Sequence, residues 1–301
     1  MTKFHNEKAI YMKQLRALIL KVVPILWIMR VRLAFQDFNK TPPILIFQMG
    51  KVASSAVHQS LKKAGLANPI HHAHRLSYTN LDEAERYRRS VGTKSEIATI
   101  QFWRKIRRKL DKVNKPIHII SLVRDPVALQ ISGIFQNIES HRKQIMADSG
   151  EIDVERTVDF LRTLFANYDE ATDYVCTWFD KEMLDTFGID VYATPFDHSR
   201  GFSIIANDRA KLLLLRMEDL SGVFSEALRE FMGLSVPLVR SNESATKGYS
   251  KAYKSVLNTI TLPMTAAEKI YTSRHAQHFY TEEERKVFIK KWTADKQHAQ
   301  P

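Results

Sequence analysis

The sequence predicts an α/β fold, a three-layer sandwich in which helices cover a central, mainly parallel sheet. Three observations support this prediction. The continuous apolar run at residues 44–47 and the mostly apolar run at 116–123 are typical of strands buried on both faces of a parallel sheet. Stretches with helical periodicity follow each run, and such alternation favours right-handed crossovers. Because ligands of these folds bind beyond the carboxyl ends of the strands, the residues that follow each run are the first candidates for a site.

The elements of the first part of the chain follow in a regular order. The strand at 44–47 leads through a Gly-Lys loop into a helix that ends near Gly65, a residue type favoured just after a helix. A short strand is expected at 69–74. Asn80 is the predicted cap of the next helix, since acidic residues occupy the first turn after it. Residues 94–113 are expected to form a strongly basic helix.

The remainder of the chain continues this alternation. Strands are predicted at residues 188–193, 202–206 and 210–217, with a turn at 207–208. Helices are predicted at residues 154–168, 171–184 and 219–233, and a capped helix begins near Thr281. We expect one domain over residues 41–301, preceded by a basic amphipathic segment at residues 1–40.

The composition indicates a folded protein with an anionic partner. Lys and Arg total 45 against 33 Asp and Glu, a formal charge of +12, and 44% of the 301 residues are hydrophobic. The single cysteine, Cys176, excludes an internal disulfide, and its apolar neighbours predict a packed core residue in a reducing compartment. We therefore expect a cytoplasmic protein.

The apolar stretch at residues 17–29 is interrupted by Lys21 and Pro24 and is flanked by basic residues. A spanning helix needs about 20 apolar residues, so this stretch is too short to cross a bilayer. Peripheral association with an anionic membrane and packing on the domain are equally open interpretations, and a signal anchor is a third.

Residues 48–56, QMGKVASSA, follow the first strand and open a helix. The triphosphate loop GxxxxGK[ST] would need glycine where Leu45 stands and a hydroxyl where Val52 stands. Here Gly50 is expected to permit an unusual backbone angle and Lys51 to supply a point charge. Hydroxyls near the helix N-terminus come from Ser54 and Ser55. This set suits a phosphate-like group bound without a metal, although an ordinary turn with an incidental lysine is the alternative.

A second polar stretch follows the strand at 116–123. Arg124 ends that strand, Asp125-Pro126 can cap and open a helix, and Ser132 lies two turns further on. An arginine in this position can grip a phosphate as a planar fork. The alternative is that Arg124 pairs with an internal carboxylate and Ser132 faces solvent.

Together these stretches resemble the sulfotransferases that use 3′-phosphoadenosine 5′-phosphosulfate, a family with a P-loop-NTPase-like fold. The resemblance implies that Lys51 contacts the phosphosulfate and that Arg124 and Ser132 hold the 3′-phosphate, without a required metal. Residues 212–220, LLLLRMEDL, look like a further segment of that family, and Lys247 lies where such enzymes place a nucleotide-covering loop. The implied loop comprises Gly50, Lys51, Val52, Ala53, Ser54, Ser55 and Ala56, and its Val-Ala centre departs from the usual Lys-Ser/Thr-Gly-Thr. Residues 178–196 also resemble a bacterial, sulfotransferase-like group linked to capsular polysaccharide synthesis.

Sulfuryl transfer to a hydroxyl needs a base for the acceptor proton. In the stretch HHAH, His72 and His74 face one side of an extended segment and His71 the other. A histidine titrates near neutrality, and we expect His74 to be the base, with His72 as the alternative. The other interpretation is that these histidines are structural or solvated. A metal site from these residues is not expected, because no carboxylate or cysteine accompanies them.

The predicted function is transfer of a sulfuryl group to a carbohydrate hydroxyl in surface or capsular polysaccharide synthesis. The basic stretch at 88–112 suits an acidic glycan or is a solvated helix face, and Trp178 suits a sugar ring or the core. No nucleic acid partner is expected. A magnesium-dependent, P-loop-like kinase and a non-catalytic membrane-associated protein are the alternatives.

Overall fold

The computed structural model describes residues 25–91, 94–239 and 248–294. Its strands are β1 Ile44–Phe47, β2 Ile70–Ala73, β3 Ile117–Val123, β4 Phe202–Ala206 and β5 Ala210–Arg216. Its α-helices are α1 Ile25–Phe35, α2 Ser54–Lys63, α3 Tyr78–Ser90, α4 Lys94–Leu110, α5 Pro126–Gln136, α6 Arg142–Ile145, α7 Val154–Ala166, α8 Tyr174–Trp178, α9 Asp185–Phe187, α10 Leu220–Met232, α11 Ser250–Thr259, α12 Met264–Tyr271, α13 Arg274–Phe279 and α14 Glu282–Thr293. A π-helical turn, Phe179–Leu184, joins α8 to α9.

The strands form one sheet in the order β2-β1-β3-β5-β4. Neighbours from β2 to β5 are parallel, and β4 is an antiparallel edge strand. Every residue of β1 is buried, as its continuous apolar sequence predicts for a strand covered on both faces. The predicted α/β class with a mostly parallel central sheet and surrounding helices is therefore confirmed.

Two compact units can be distinguished. The first consists of the described residues up to Pro42 and of Arg75–Asn114. The second consists of Pro43–His74 and of the described residues from Lys115 onward, and it contains the whole sheet. The predicted division at residue 40 stays a prediction.

In the first unit, helix α1 packs on α4, and the Arg30 guanidinium donates to the carbonyl of Ala98 over 3.1 Å. Ion pairs neutralise part of the basic stretch at 88–112. Arg104 pairs with Asp82 and Glu85 of α3, at 2.7 Å and 3.1 Å.

Residues 17–24 of the predicted apolar stretch lie outside the described residues. No helix of residues 25–91, 94–239 and 248–294 is long and apolar enough to cross a membrane.

The second unit has a large apolar cluster built by helices α5, α7 and α11 to α14. Helix α14 begins at the predicted cap, because the Thr281 hydroxyl accepts from the Glu284 amide and the Glu284 carboxylate accepts from the Thr281 amide. Cys176 and Trp178 are buried on α8, so the predicted core position of Cys176 is confirmed, and of the two interpretations of Trp178 the core position is the correct one. Burial raises the pKa of the Cys176 thiol to about 12, and its Sγ lies 3.0 Å from the Tyr168 hydroxyl.

Two local expectations are wrong. Residues 188–193 do not form a strand; Val191–Ala193 is a 3₁₀ turn that Asp190 caps by accepting from the Tyr192 amide. Helix α3 begins at Tyr78, with Ser77 and not Asn80 at its cap position. The physical reason is the same in both places, because Asp and Asn side chains suit turns and helix caps equally well and Asp190 and Asn80 do not by themselves fix the local structure.

Candidate functional site

Three neighbouring parallel strands end side by side at one edge of the sheet. Strand β1 lies between β2 and β3, and Phe47 at the end of β1 pairs with Ala73 at the end of β2. The next residues in the chain are Gln48 after β1, His74 after β2 and Arg124 after β3. This carboxyl edge is where ligands of open parallel sheets bind, and its polar residues are the candidate site.

The loop after β1 contains two left-handed residues that are not glycine. Lys51 has a φ of 69° and Ala53 a φ of 63°, whereas Gly50 is not left-handed. The expectation that Gly50 supplies the unusual backbone angle is therefore wrong. Left-handed backbone costs about 1–2 kcal/mol for a residue with a Cβ atom, and such strain is concentrated at ligand sites.

The rest of the loop contains a buried valine and the first residues of helix α2. Val52 is fully buried, Ser54 and Ala56 are buried, and Ser55 is half-buried. Helix α2 begins at Ser54, and Ala53 occupies its N-cap position without a side-chain acceptor. The N-terminus of a helix attracts anions, because its amide groups and its dipole both favour negative charge.

Arg124 joins this loop directly. Its Nη1 atom donates to the carbonyl oxygen of Lys51 over 3.1 Å. The Lys51 ammonium in turn donates to Oε1 of Gln136, the last residue of α5, over 3.3 Å. Within the described part of the chain, Arg124 has no carboxylate within 4.0 Å. The positively charged side chains of Lys51 and Arg124 are therefore both attached to this part of the sheet edge, one in the loop and one bonded to it.

Helix α5 starts as its sequence predicts. The Asp125 carboxylate accepts from the amides of Val127 and Ala128, at 3.0 Å and 3.4 Å, and Pro126 occupies the first turn. Ser132 lies on the same helix and is only 8% exposed, so it is not a solvated residue. The helix that follows Arg124 thus also carries Ser132 and Gln136.

The three histidines around β2 divide as the alternation predicts. The rings of His72 and His74 are 4.6 Å apart, while His71 is buried. His74 Nδ1 lies 2.9 Å from the Gln48 carbonyl oxygen, and the His74 carbonyl oxygen accepts from Trp178 Nε1 over 3.1 Å. His72 Nε2 lies 2.9 Å from Gln48 Nε2. Gln48 is fully buried and contacts both rings.

Burial, with the charges of His74 and His58, lowers the pKa of His72 to about 3. His58 stands on α2, with its ring 6.1 Å from that of His72, and burial together with Lys62 lowers its pKa as well. His72 is therefore neutral at physiological pH, which makes it a poor partner for an anion and a poor proton acceptor.

Two residues of this edge were missed by the sequence reasoning. Gln48 is a buried polar residue directly after an apolar strand, and that position was the available signal. Glu218 follows β5, and its Oε1 accepts from the Asp125 amide over 2.8 Å. Burial raises the pKa of Glu218. The predicted Lys247 lies outside the described residues, and no group of three metal-ligating side chains occurs within them.

A family model described as NKWYS, "Putative capsular polysaccharide synthesis protein", matches residues 149–281. This is less than half of the chain, and it includes the stretch at 178–196 for which a capsular resemblance was predicted. The match begins after the loop, the histidines and Arg124. No curated protein matches the chain, and no solved structure matches it. The comparison supports a role in polysaccharide synthesis and does not name a reaction.

Proposed function

We propose that the protein is an enzyme of polysaccharide synthesis that transfers a sulfuryl group from 3′-phosphoadenosine 5′-phosphosulfate to a carbohydrate hydroxyl. The observation that carries this proposal is the bond between the Arg124 guanidinium and the Lys51 carbonyl, which unites the two predicted phosphate-binding stretches at one sheet edge. The family match supports the polysaccharide acceptor. The co-substrate carries two separate anionic groups, and the loop with Lys51 and the helix start with Arg124 offer two sites of the required charge.

Each residue has a defined task in such a transfer. Lys51 and the start of α2 would hold the phosphosulfate, and the Lys51 ammonium would stabilise the charge that develops on the bridging oxygen as the S–O bond to phosphate breaks. Arg124 and Ser132 would hold the 3′-phosphate. His74 would accept the proton of the acceptor hydroxyl while that oxygen forms its bond to sulfur. These steps require no metal.

The test is calorimetric binding of adenosine 3′,5′-bisphosphate without metal to the wild type, Lys51→Ala and Arg124→Ala. Loss of a charged hydrogen bond is worth about 1.5–3 kcal/mol, so each variant should bind about 10–100-fold more weakly. Lys63→Ala is the matched control, because Lys63 is an exposed lysine at the far end of α2. Its affinity should equal that of the wild type.

The kinase alternative makes the opposite prediction. If ATP with magnesium binds and the bisphosphate does not, the sulfotransferase proposal is wrong and the loop is a degenerate triphosphate site. If the bisphosphate binds, transfer of labelled sulfate from the co-substrate to an oligosaccharide, lost in Lys51→Ala, separates an enzyme from a nucleotide-binding protein.

The exposed face of helix α1 favours a second property, peripheral binding to an anionic membrane. Leu33 packs this helix inward, while Trp27 and Phe35 are 57% and 87% exposed and Arg32 is exposed beside them. Aromatic residues combined with basic ones are typical of interfacial helices. No nucleic acid is proposed as a partner.

Sedimentation with sucrose-loaded vesicles tests this property. The wild type should bind vesicles that contain phosphatidylserine more strongly than neutral ones, and a Trp27→Ser, Phe35→Ser variant should lose that binding. Val287→Ser is the control, since Val287 is 64% exposed on helix α14. A non-catalytic membrane protein would keep vesicle binding and show no transfer at all. Equal sedimentation with both kinds of vesicle would contradict an electrostatic contribution.

A further inference from the structure

Gln48 makes two different contacts with the histidine pair, one through its main chain and one through its side chain. The residue is fully buried directly after β1, three positions before Lys51. Its amide oxygen, Oε1, has no hydrogen-bond partner among the described residues. A buried amide with an unsatisfied oxygen is costly, so the two contacts that Gln48 does make are the ones that offset this cost.

The main-chain contact determines the protonation of His74. A carbonyl oxygen can only accept a hydrogen bond, so Nδ1 of His74, 2.9 Å from the Gln48 carbonyl, must carry the proton. In the neutral ring the lone pair then resides on Nε2. The same contact would stabilise the imidazolium that forms when Nε2 accepts a second proton, as an orienting acceptor does for a catalytic histidine.

The side-chain contact determines the protonation of His72. The Gln48 amide nitrogen can only donate, so Nε2 of His72, 2.9 Å away, accepts and the ring proton is on Nδ1. The centroid of this ring lies 4.6 Å from that of His74 and 6.1 Å from that of His58. A positive charge on His72 would be repelled by any positive charge on His74 or His58, so His72 stays neutral.

We propose that Gln48 is a positioning residue that holds both imidazoles in the tautomer protonated on Nδ1, so that His74 offers Nε2 as the base and His72 serves as its neutral neighbour. This assignment resolves which of the two histidines accepts the hydroxyl proton. Its chemical role rests on the proposed function, but the tautomers themselves are properties of the folded protein and can be measured without a substrate.

The experiment is a two-dimensional correlation of ring protons with ring nitrogens in protein labelled with ¹⁵N-histidine. His72→Gln and His74→Gln variants assign the signals. In the wild type, both rings should show a protonated Nδ1 and an unprotonated Nε2 at pH 7.5. A His74 ring with its proton on Nε2 would overturn the proposal, whatever the activity of the protein.

Substitution of Gln48 separates the two contacts. Gln48→Leu removes only the side-chain donor, so the His72 signals should shift toward the tautomer protonated on Nε2 while those of His74 stay unchanged. Gln48→Glu replaces the donor by an acceptor and should place a proton on His72 Nε2. If the His72 signals are the same in all three proteins, the side chain does not set its tautomer.

The kinetic readout links the assignment to the reaction. Gln48→Leu should lower kcat with little change in KM for the co-substrate, and Gln48→Glu should alter the pH profile of kcat through the carboxyl group introduced beside His72. If both rings are protonated on Nδ1 but no sulfuryl transfer occurs, the positioning by Gln48 is correct and the proposed function is wrong. If sulfuryl transfer occurs while His74 carries its proton on Nε2, the proposed function is correct and the positioning by Gln48 is wrong.

Discussion

The sheet edge carries two polar clusters that differ in how completely they are satisfied. Around Asp125, which is 2% exposed, Oδ1 accepts from the Val127 amide and from the Tyr271 hydroxyl, and Oδ2 accepts from Trp292 Nε1 over 3.0 Å. Around Gln48 a buried amide oxygen lacks a partner among the described residues, and the adjoining loop holds two residues in left-handed backbone.

We interpret this difference as one between a structural cluster and the proposed functional one. The hydrogen bonds that Asp125 accepts from Tyr271 of α12 and Trp292 of α14 stabilise the fold, because both donors are buried and paired with the carboxylate. Unsatisfied groups and backbone strain lower stability, and backbone strain is concentrated at ligand sites and active sites. Damage to the Asp125 cluster should therefore cost mainly stability, and damage at the loop should cost mainly function.

Asp125→Ala should have the largest effect on stability. The change removes the α5 cap and leaves the Tyr271 hydroxyl and Trp292 Nε1 without their acceptor, for a loss of about 3–5 kcal/mol in the free energy of unfolding. Urea denaturation followed by circular dichroism measures this loss. Lys51→Ala, at a half-exposed residue of the loop, should lose less than about 1 kcal/mol. Equal losses in the two variants would remove the distinction between the clusters.

Gly201→Ala tests the packing beside Arg216, whose guanidinium pairs with Asp219 and Glu284. Gly201 has a φ of +69°, and an added Cβ would lie 2.7 Å from the Cβ of Asp219. The strain and the displaced carboxylate should cost about 2 kcal/mol or more. Gly133→Ala is the control, since nothing lies within 4 Å of its added Cβ and it is inside helix α5. That variant should gain about 0.5–1 kcal/mol of stability, measured by urea denaturation.

Acid should destabilise the protein through its buried histidines. Burial, with His278 and Arg274 nearby, lowers the pKa of His275 from its usual 6.5 to about 3. Between these values the unfolded chain binds a proton that the folded protein does not, so the free energy of unfolding falls as pH falls from 6.5. The slope contributed by His275 is at most about 1.4 kcal/mol per pH unit.

His275→Gln should make the dependence on pH shallower by up to that amount, as measured by urea denaturation at several pH values between 7 and 4.5. His72 should contribute in the same direction, because its pKa is also lowered to about 3. Identical slopes in His275→Gln and the wild type would show that His275 is not held neutral by burial.

Much of the fold could be predicted from the sequence, because β1 is a continuous apolar run, β3 and β5 are mostly apolar, and helices α5 and α14 have side-chain caps. The strand bounds at Ile44–Phe47 and Phe202–Ala206 are those of the prediction. The site was predictable only in part. Lys51 and Arg124 follow apolar strands, but the contact of Gln48 with His72 and His74 depends on β1 pairing with β2, which no local pattern reveals.

The backbone of the loop was unpredictable for a related reason. Propensity assigned the left-handed angle to Gly50, whereas it occurs at Lys51 and Ala53. Val52 between them is fully buried, and tertiary packing of that side chain accompanies a backbone that the local sequence would not choose. Local preference and observed geometry thus disagree where the candidate ligand site lies.

Ala53→Gly measures the cost of that disagreement. Glycine adopts left-handed backbone without steric penalty, so the substitution should relieve about 1–2 kcal/mol of strain and lose about 0.4–1 kcal/mol through the more flexible unfolded chain. The expected net gain in stability is about 0.5–1 kcal/mol. Ala64→Gly is the control at the other end of helix α2, where φ is an ordinary −67°, and it should be destabilising. A loss of stability in Ala53→Gly would mean that residue 53 is not left-handed in solution. If stability rises and the affinity for the bisphosphate stays within about threefold of the wild type, binding depends on the left-handed backbone geometry of residue 53 and not on the strain that the alanine side chain adds.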